Sequence, residues 1–339
     1  MSQSTVSIKD VARQASVSIG TVSNVLNRPE TVSENRRKRV LQAIEELGYV
    51  RNDAARQLKI GHSRTIGLVV QDTANPFYNE IALGAETAAE KLGQAVIIGN
   101  AGLSPNREHL YLDLFEEQRV RGVLITPQTS QRKRIEILRS RGIPAILVDE
   151  HAPAFQYCSL AVDDVEGGRL AVAHLLSTGR HRIAFVGGPD TLHQVRDRQS
   201  GAQHAVDAVP GASLEVIETA ALTVLEGRRV GEIILTRSTE DRPEAIFAAN
   251  DLLAMGLLQA FVFEHRIRIP QEMALIGYDD IDFATSSIVP LSSIRQPARL
   301  IGRSAVELLE EEVADSEHRH RHVSFQPELI IRESTATTR

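Results

Sequence analysis

The sequence predicts an all-α helix-turn-helix head followed by a larger α/β body of doubly wound parallel sheet. Three observations point there. Apolar residues in the first 50 positions recur at helical spacing across three short segments. From Thr65 onward, short apolar runs alternate with amphipathic stretches, the pattern of parallel strands joined by helical crossovers. Charge is divided as well: residues 1–65 hold 11 Lys/Arg against 6 Asp/Glu, and the remainder holds 27 against 38. A basic head on an acidic body points to a polyanionic partner for the head alone.

Composition removes several classes. At 339 residues and 42% hydrophobic, the chain can fill a small module and a large domain. No apolar run reaches the roughly 18 residues a membrane span needs, so no membrane partner is expected. The opening MSQSTVSIKD lacks a basic stretch followed by an apolar one. No secretory leader is therefore expected, and the expected location is the cytoplasm. The single cysteine, Cys158, is expected to exclude a disulfide scaffold and a cysteine-ligated zinc site, and reads as a small core or surface thiol.

In the head, Ser7 and Asp10 form a capping-box pattern at the start of a first helix. Val11, Ala12 and Ala15 share its inner face, and Ser16-Val17 breaks it. Ser18 then caps a second helix, in which Val22, Val25 and Leu26 face inward. Ser18, Ile19, Gly20, Thr21, Ser23, Asn24 and Asn27 remain on the outer face. A third helix starts near Ser33, with Val40, Ile44 and Leu47 inward and the basic run from Arg36 to Arg39 outward. Two short helices and a tight turn suit the DNA major groove, where the start of the second faces bases and phosphates.

The run IKDVARQASVSIGTVSNVLNRPETVSENRRKRVLQAIEELGYVRN resembles the headpiece of the lactose/galactose repressor (LacI/GalR) family. Its marks are DVA, VS-x-x-TVS-x-VLN and ELGY. The resemblance implies DNA contacts from Ser7, Ser18, Ile19, Gly20, Thr21, Ser23, Asn24, Asn27, Thr31 and Ser33. One departure is Ser16, where the family usually has glycine; at positive φ a serine costs about 1 kcal/mol. Residues 51–61 resemble the family's hinge helix, too short to be stable alone and formed when two subunits lie side by side in the minor groove. By that match Leu58 is a wedge at the central base step, while Asn52, Arg56 and Lys59 touch backbone or groove edges.

The body carries the resemblance through NPFY (75–78), DD-x-x-GG (163–168), HLLSTGRHRIAFVGGP, AANDLLAMG, IGYDD, PLSSIRQP and PELIIRES. Strands are expected at 66–71, 95–100, 122–127, 145–150, 183–188, 245–250 and 274–279, with helices such as Glu80–Leu92, Gly168–Ser177 and Leu252–His265 between them. The resemblance implies a periplasmic-binding-protein-like core of two lobes. Its crossovers are expected near 161–163, 290–295 and 322–326. Residues 1–50 would be the headpiece, 62–162 plus 293–323 the first lobe, and 163–292 plus 324–339 the second.

An effector is expected between the lobes, beyond the carboxyl ends of the strands. Phe77 lies either against the ligand or in the core. Asp149 either binds hydroxyls or serves a cap or loop ion pair. Arg198 matches a cleft arginine able to fork onto hydroxyls or a carboxylate, with a structural ion pair as the alternative. Asn250 and Asp279 match cleft-facing positions, with Gln194 and Arg196 as neighbours. Leu222 stands where many relatives stack an aromatic ring on a sugar or purine, and the chain has no Trp. A carbohydrate or derivative is favoured over a nucleoside, another polar metabolite or a protein co-regulator.

No cofactor and no metal site is expected. His318, His320 and His322 in HRHRH read as a solvated loop before the last strand. Gly187-Gly188-Pro189 lacks the spacing of a dinucleotide fingerprint, and no nucleophile elbow or Walker-type loop occurs. Three functions compete. A transport-type binding protein would need export and no head, and a sugar- or nucleotide-modifying enzyme would need a catalytic constellation. The expectation is a non-enzymatic, effector-controlled DNA-binding regulator. It would act as a homodimer, or a tetramer, on a palindromic operator.

Overall fold

The structure is a computed structural model that describes residues 6–50, 63–127, 132–151, 156–263, 267–315 and 317–336. The chain divides into two compact units, residues 1–63 and 64–339. The hinge expected at 51–61, with Asn52, Arg56, Leu58 and Lys59, lies outside the described residues.

The first unit is a three-helix cluster: α1 (Ile8–Gln14), α2 (Ile19–Asn27) and α3 (Glu34–Leu47). Its core is Val11, Ala12, Ala15, Val22, Val25, Val40 and Ala43, ringed by Ile8, Leu26, Ile44 and Leu47. At the start of α1, Asp10 accepts hydrogen bonds from the Ser7 backbone N–H (3.0 Å) and hydroxyl (2.6 Å). Ser16 turns the chain between α1 and α2 at φ 50°, in the left-handed region where a serine is strained. Gly48, at φ 61°, ends α3.

The second unit holds two six-stranded sheets. The first contains β1 (Thr65–Val70), β2 (Ala95–Asn100), β3 (Gly122–Ile125), β4 (Ala145–Val148), β5 (Ser159–Val162) and β11 (His322–Phe325). Their order is β11-β5-β4-β3-β1-β2, every pairing parallel. The second contains β6 (Arg182–Gly187), β7 (Ser213–Glu218), β8 (Ala245–Ala248), β9 (Ala274–Asp279), β10 (Ser292–Arg295) and β12 (Glu328–Ile330). The order there is β12-β10-β9-β8-β6-β7, with only β12 antiparallel.

The helices that matter for the cleft are α4 (Pro76–Lys91), α5 (Pro105–Glu117), α6 (Arg132–Ser140), α7 (Asp164–Ser177), α8 (His193–Asp207), α9 (Val224–Leu235), α10 (Asp251–Val262), α11 (Asp282–Ser286) and α12 (Ala298–Ala314). Gly168 of α7 and Gly201 of α8 let those helices meet backbone to backbone. A Cβ on either would run into the carbonyl of Arg198 or Val165. This contact fixes the turn of α8 that carries Arg198.

Two expected boundaries move. Ser292–Arg295 pairs with β9 in the second lobe, so the middle crossover falls at 296–297 rather than at 293. His322–Phe325 pairs with β5 in the first lobe, so the last crossover falls at 326–327, at the end of the expected 322–326, and the first lobe extends past the expected boundary at 323. Both strands are four residues long and at least half polar, which leaves little periodicity to read.

Candidate nucleic-acid interface and interlobe cleft

α2 presents its first turn to solvent. The Ser18 hydroxyl accepts from the Thr21 backbone N–H at 3.1 Å and lies 2.9 Å from the Thr21 hydroxyl. Ile19 is 46% exposed, an apolar side chain that the three-helix core leaves out. A Cβ on Gly20 would meet only the Ser18 hydroxyl, at 3.7 Å, so nothing inside this unit requires glycine there. Asn27 donates to the Ser23 carbonyl (2.8 Å) and hydroxyl (3.2 Å), and Thr31 to the Arg28 carbonyl (2.7 Å). Asn24 and Ser33 are also exposed, and the Asn24 side chain makes no hydrogen bond among the described residues. Arg28, Arg36, Lys38 and Arg39 are exposed nearby in sequence. The surface combines cap groups, one apolar contact, one free amide and several cations.

In the second unit, polar residues gather beyond the carboxyl ends of both sheets, where an α/β fold places its ligands. Asp149 follows β4 at φ 58°, and Asp279 ends β9 at φ 102°. Such backbone is rare outside glycine, although Asp is among the residues that tolerate it, and it concentrates at functional sites. Asp149 is 3% exposed and Asp279 is 7% exposed. Gln194, in the first turn of α8, donates to Asp149 Oδ2 at 2.7 Å. Asn75, which caps α4, donates to Asp279 Oδ2 at 3.3 Å, and Gln296 donates to Asp279 Oδ1 at 2.7 Å. His193 Nδ1 lies 3.1 Å from Glu150 Oε2. Three of these contacts join one lobe to the other.

Arg198 lies at the centre. Its Nε donates to Asp164 Oδ1 at 2.8 Å and its Nη1 to the Ala249 carbonyl at 2.8 Å, with Asp279 Oδ1 at 3.8 Å. The guanidinium carbon lies 3.7 Å from the centroid of the Tyr278 ring. Burial opposes its charge, but Asp164, with Tyr278 and Asp279, more than offsets this and raises its pKa. Burial, then the charge of Asp164, pushes the Asp149 carboxyl up to about 7, against the pull of Arg198 and Gln194. Burial likewise pushes Asp279 to about 6. Three carboxylates around one guanidinium favour a ligand that brings hydrogen-bond donors.

The other anticipated cleft residues divide. Asn250 caps α10 by accepting from the Leu253 N–H at 2.9 Å, and its amide donates to the Leu222 carbonyl at 3.2 Å. Leu222 packs its side chain on the second-lobe core. Phe77 belongs to the first-lobe core, 4% exposed, and also borders a cavity of about 450 Å³ with Asp279, Phe283 and Gln296. Arg196 is exposed and donates to the Asp190 carbonyl, away from the buried cluster. Asn75, Asp164, Tyr278 and Gln296 belong to the cluster, although the sequence reading had not singled them out as site residues. Each sits one or two positions from a strand or helix end, the positional signal that identifies them.

HRHRH is not a solvated loop throughout. His318, His320 and His322 are half-buried while Arg319 and Arg321 are exposed. Alternation with period two, already present in the sequence, sorts them onto opposite sides.

A family model described as "Bacterial regulatory proteins, lacI family" matches residues 7–52, and one described as "Periplasmic binding protein-like domain" matches 172–335. The HTH-type transcriptional repressor PurR of Aliivibrio fischeri is 32% identical over 331 residues, 97% of this chain and 98% of the relative. A crystal structure of the Lac repressor dimer bound to operator and the anti-inducer ONPF is 26% identical with TM-score 0.84, covering 98% of this chain and all of that one. A transcriptional regulator CelR–cellobiose complex is 29% identical with TM-score 0.71, covering 97% and 99%.

Proposed function

The chain belongs to the lacI family of bacterial regulatory proteins and is a DNA-binding transcription regulator with a small-molecule effector, and we propose that it is a repressor. It acts in the cytoplasm, without catalysis, as a homodimer on a palindromic operator. The observation that carries the DNA side is the outward first turn of α2, where Ile19 and Gly20 are not used by the unit's own core. α2 lies in the major groove. Ile19 meets a thymine methyl and Asn24 pairs with an adenine edge. Ser7, Ser18, Thr21, Ser23, Asn27, Thr31 and Ser33, with the neighbouring cations, set the register on phosphates. Residues 51–61 form the hinge, with Leu58 as minor-groove wedge and Asn52, Arg56 and Lys59 beside it.

The effector is a carbohydrate or carbohydrate derivative bound by Asp149, Gln194, Arg198, Asn250 and Asp279. Carboxylates and amides next to one arginine match hydroxyl groups that both donate and accept, and the similar CelR structure contains cellobiose. The effector shifts DNA affinity only through different binding to the open and closed lobes.

The dimer forms through an apolar depression of about 550 Å³ lined by Met255, Leu258, Val262, Phe263 and Ile288. Phe263 is 74% exposed and Ile288 is 78% exposed, costly for a lone chain in water. The similar Lac repressor structure is a dimer.

The deciding experiment is selection of binding sites from random duplex DNA by the purified full chain, with Leu58→Ala in parallel. An enriched palindrome that the substitution weakens is expected. No enriched sequence, with and without added metabolite extract, would overturn the proposal.

A further inference from the structure

Cys158 precedes β5, Glu312 lies in the last turn of α12, and His318 and His320 lie on the segment leading into β11. One ligand atom from each falls within 4.8 Å of every other. Cys158 Sγ lies 3.0 Å from His318 Nε2 and 3.7 Å from His320 Nδ1, and His320 Nδ1 lies 3.8 Å from Glu312 Oε2. We propose that Cys158, Glu312, His318 and His320 form a four-ligand site for a zinc-class divalent cation in the first lobe.

The chemistry fits. Zinc takes thiolate, imidazole and carboxylate ligands tetrahedrally, with bonds of about 2.0–2.3 Å, which puts neighbouring ligand atoms about 3.3–3.6 Å apart. The observed separations bracket that range, so small side-chain movements close the site. Cys158 is fully buried, and the Glu312 side chain is 9% exposed and that of His320 17% exposed. Glu312 Oε2 is buried without a hydrogen-bond partner among the described residues, an acceptor directed at the cluster. One thiolate and one carboxylate neutralise a divalent ion. Coordination releases the thiol proton to solvent.

One contact must change. Arg139 Nη2 lies 2.8 Å from His320 Nε2, so the guanidinium holds the tautomer whose proton is on Nδ1. Metal binding at Nδ1 moves that proton to Nε2. Arg139 then gives up His320 and keeps its ion pair with Glu312, Nη1 to Oε1 at 2.7 Å, as an outer partner to that carboxylate. The ion would fasten α12 and the approach to β11 onto the start of β5, an edge that is otherwise held by a four-residue strand.

The test uses the untagged full chain, stripped with a chelator. Zn(II) is titrated against a chromogenic competitor, and Co(II) is followed by absorption. One ion per chain is expected, with a thiolate-to-cobalt charge-transfer band and the strong visible absorption of a tetrahedral centre. Cys158→Ser and His318→Ala should each weaken Zn(II) by at least about 100-fold, since loss of an outer partner alone costs 10–100-fold. The exposed His109→Ala should not. His318 lies outside the core, so His318→Ala reports even if Cys158→Ser does not fold. A cobalt spectrum without sulfur, no stoichiometric binding, or binding indifferent to His318→Ala would each overturn the proposal.

Discussion

Gln194 donates to Asp149 Oδ2 at 2.7 Å, and the two residues belong to different lobes. β4 delivers Asp149 to the cleft through a left-handed turn, and the first turn of α8 delivers Gln194. Asn75 and Asp279 repeat the arrangement in the opposite sense, with the amide on the first lobe and the carboxylate on the second. Both links set an amide donor against a buried carboxylate. A hydroxyl-bearing ligand bound at the proposed site would replace such donors directly, and so would exchange contacts that join the lobes.

Asp149→Asn should make the effector domain more stable at alkaline pH. The Asp149 carboxyl is pushed up to about 7, mainly by burial. The native state therefore binds more protons than the unfolded chain between about pH 4 and pH 7, and stability falls as pH rises through that window. The penalty is complete above about pH 7. An uncharged asparagine removes it, with a gain on the order of 4 kcal/mol near pH 8 that vanishes towards pH 4. Thermal scans of both proteins across this range check the prediction. A difference independent of pH would refute it.

Effector binding should release protons near pH 6.5. Asp149 and Asp279, raised to about 7 and about 6, are partly protonated there. A ligand whose hydroxyl groups donate to these carboxylates favours their ionised forms, so affinity should rise as pH goes from 6 to 7. Calorimetry in two buffers of different ionisation enthalpy counts the protons. Net uptake would show that the ligand accepts from protonated carboxyls instead.

Gly20→Ala separates folding from recognition. Its Cβ would make only an ordinary 3.7 Å contact with the Ser18 hydroxyl inside the unit, and alanine favours helix over glycine by up to about 1 kcal/mol. The head should therefore be as stable or more so, by circular dichroism and thermal unfolding. If α2 approaches DNA closely at Gly20, the added methyl group should weaken the selected operator about tenfold, equivalent to about 1.4 kcal/mol. Unchanged affinity would move the closest approach to another residue.

Legibility in the sequence followed local periodicity. α2 was readable because Val22, Val25 and Leu26 share a face and Ser18 caps it, a pattern contained in nine residues. β8 and β9 were readable because they are fully buried and run apolar, β9 up to its terminal Asp279. β10 and β11 were not, because SSIR and HVSF are short and at least half polar, and only their partners β9 and β5 reveal which lobe each joins. In the cleft, Asp149 and Asp279 followed strands and were found. Asp164 and Gln296 were missed as site residues because their role depends on Arg198 and Asp279, which lie 34 and 17 residues away. Arg196 differs from Arg198 by two positions on one helix, which turns it to solvent.

Phe263→Asp and Ile288→Asp should each convert the dimer to a monomer. Both side chains border the apolar depression beside α10, and neither belongs to the second-lobe core. Because each is largely exposed in the single chain, a carboxylate there leaves the fold intact and costs only when a second copy covers it. Light scattering should show half the wild-type mass with an unchanged far-ultraviolet spectrum. Operator affinity should fall at least about 100-fold, because a lone headpiece reads one half-site. A variant that stays dimeric places the interface on another face. One that becomes monomeric yet keeps full operator affinity removes the two-headpiece model itself.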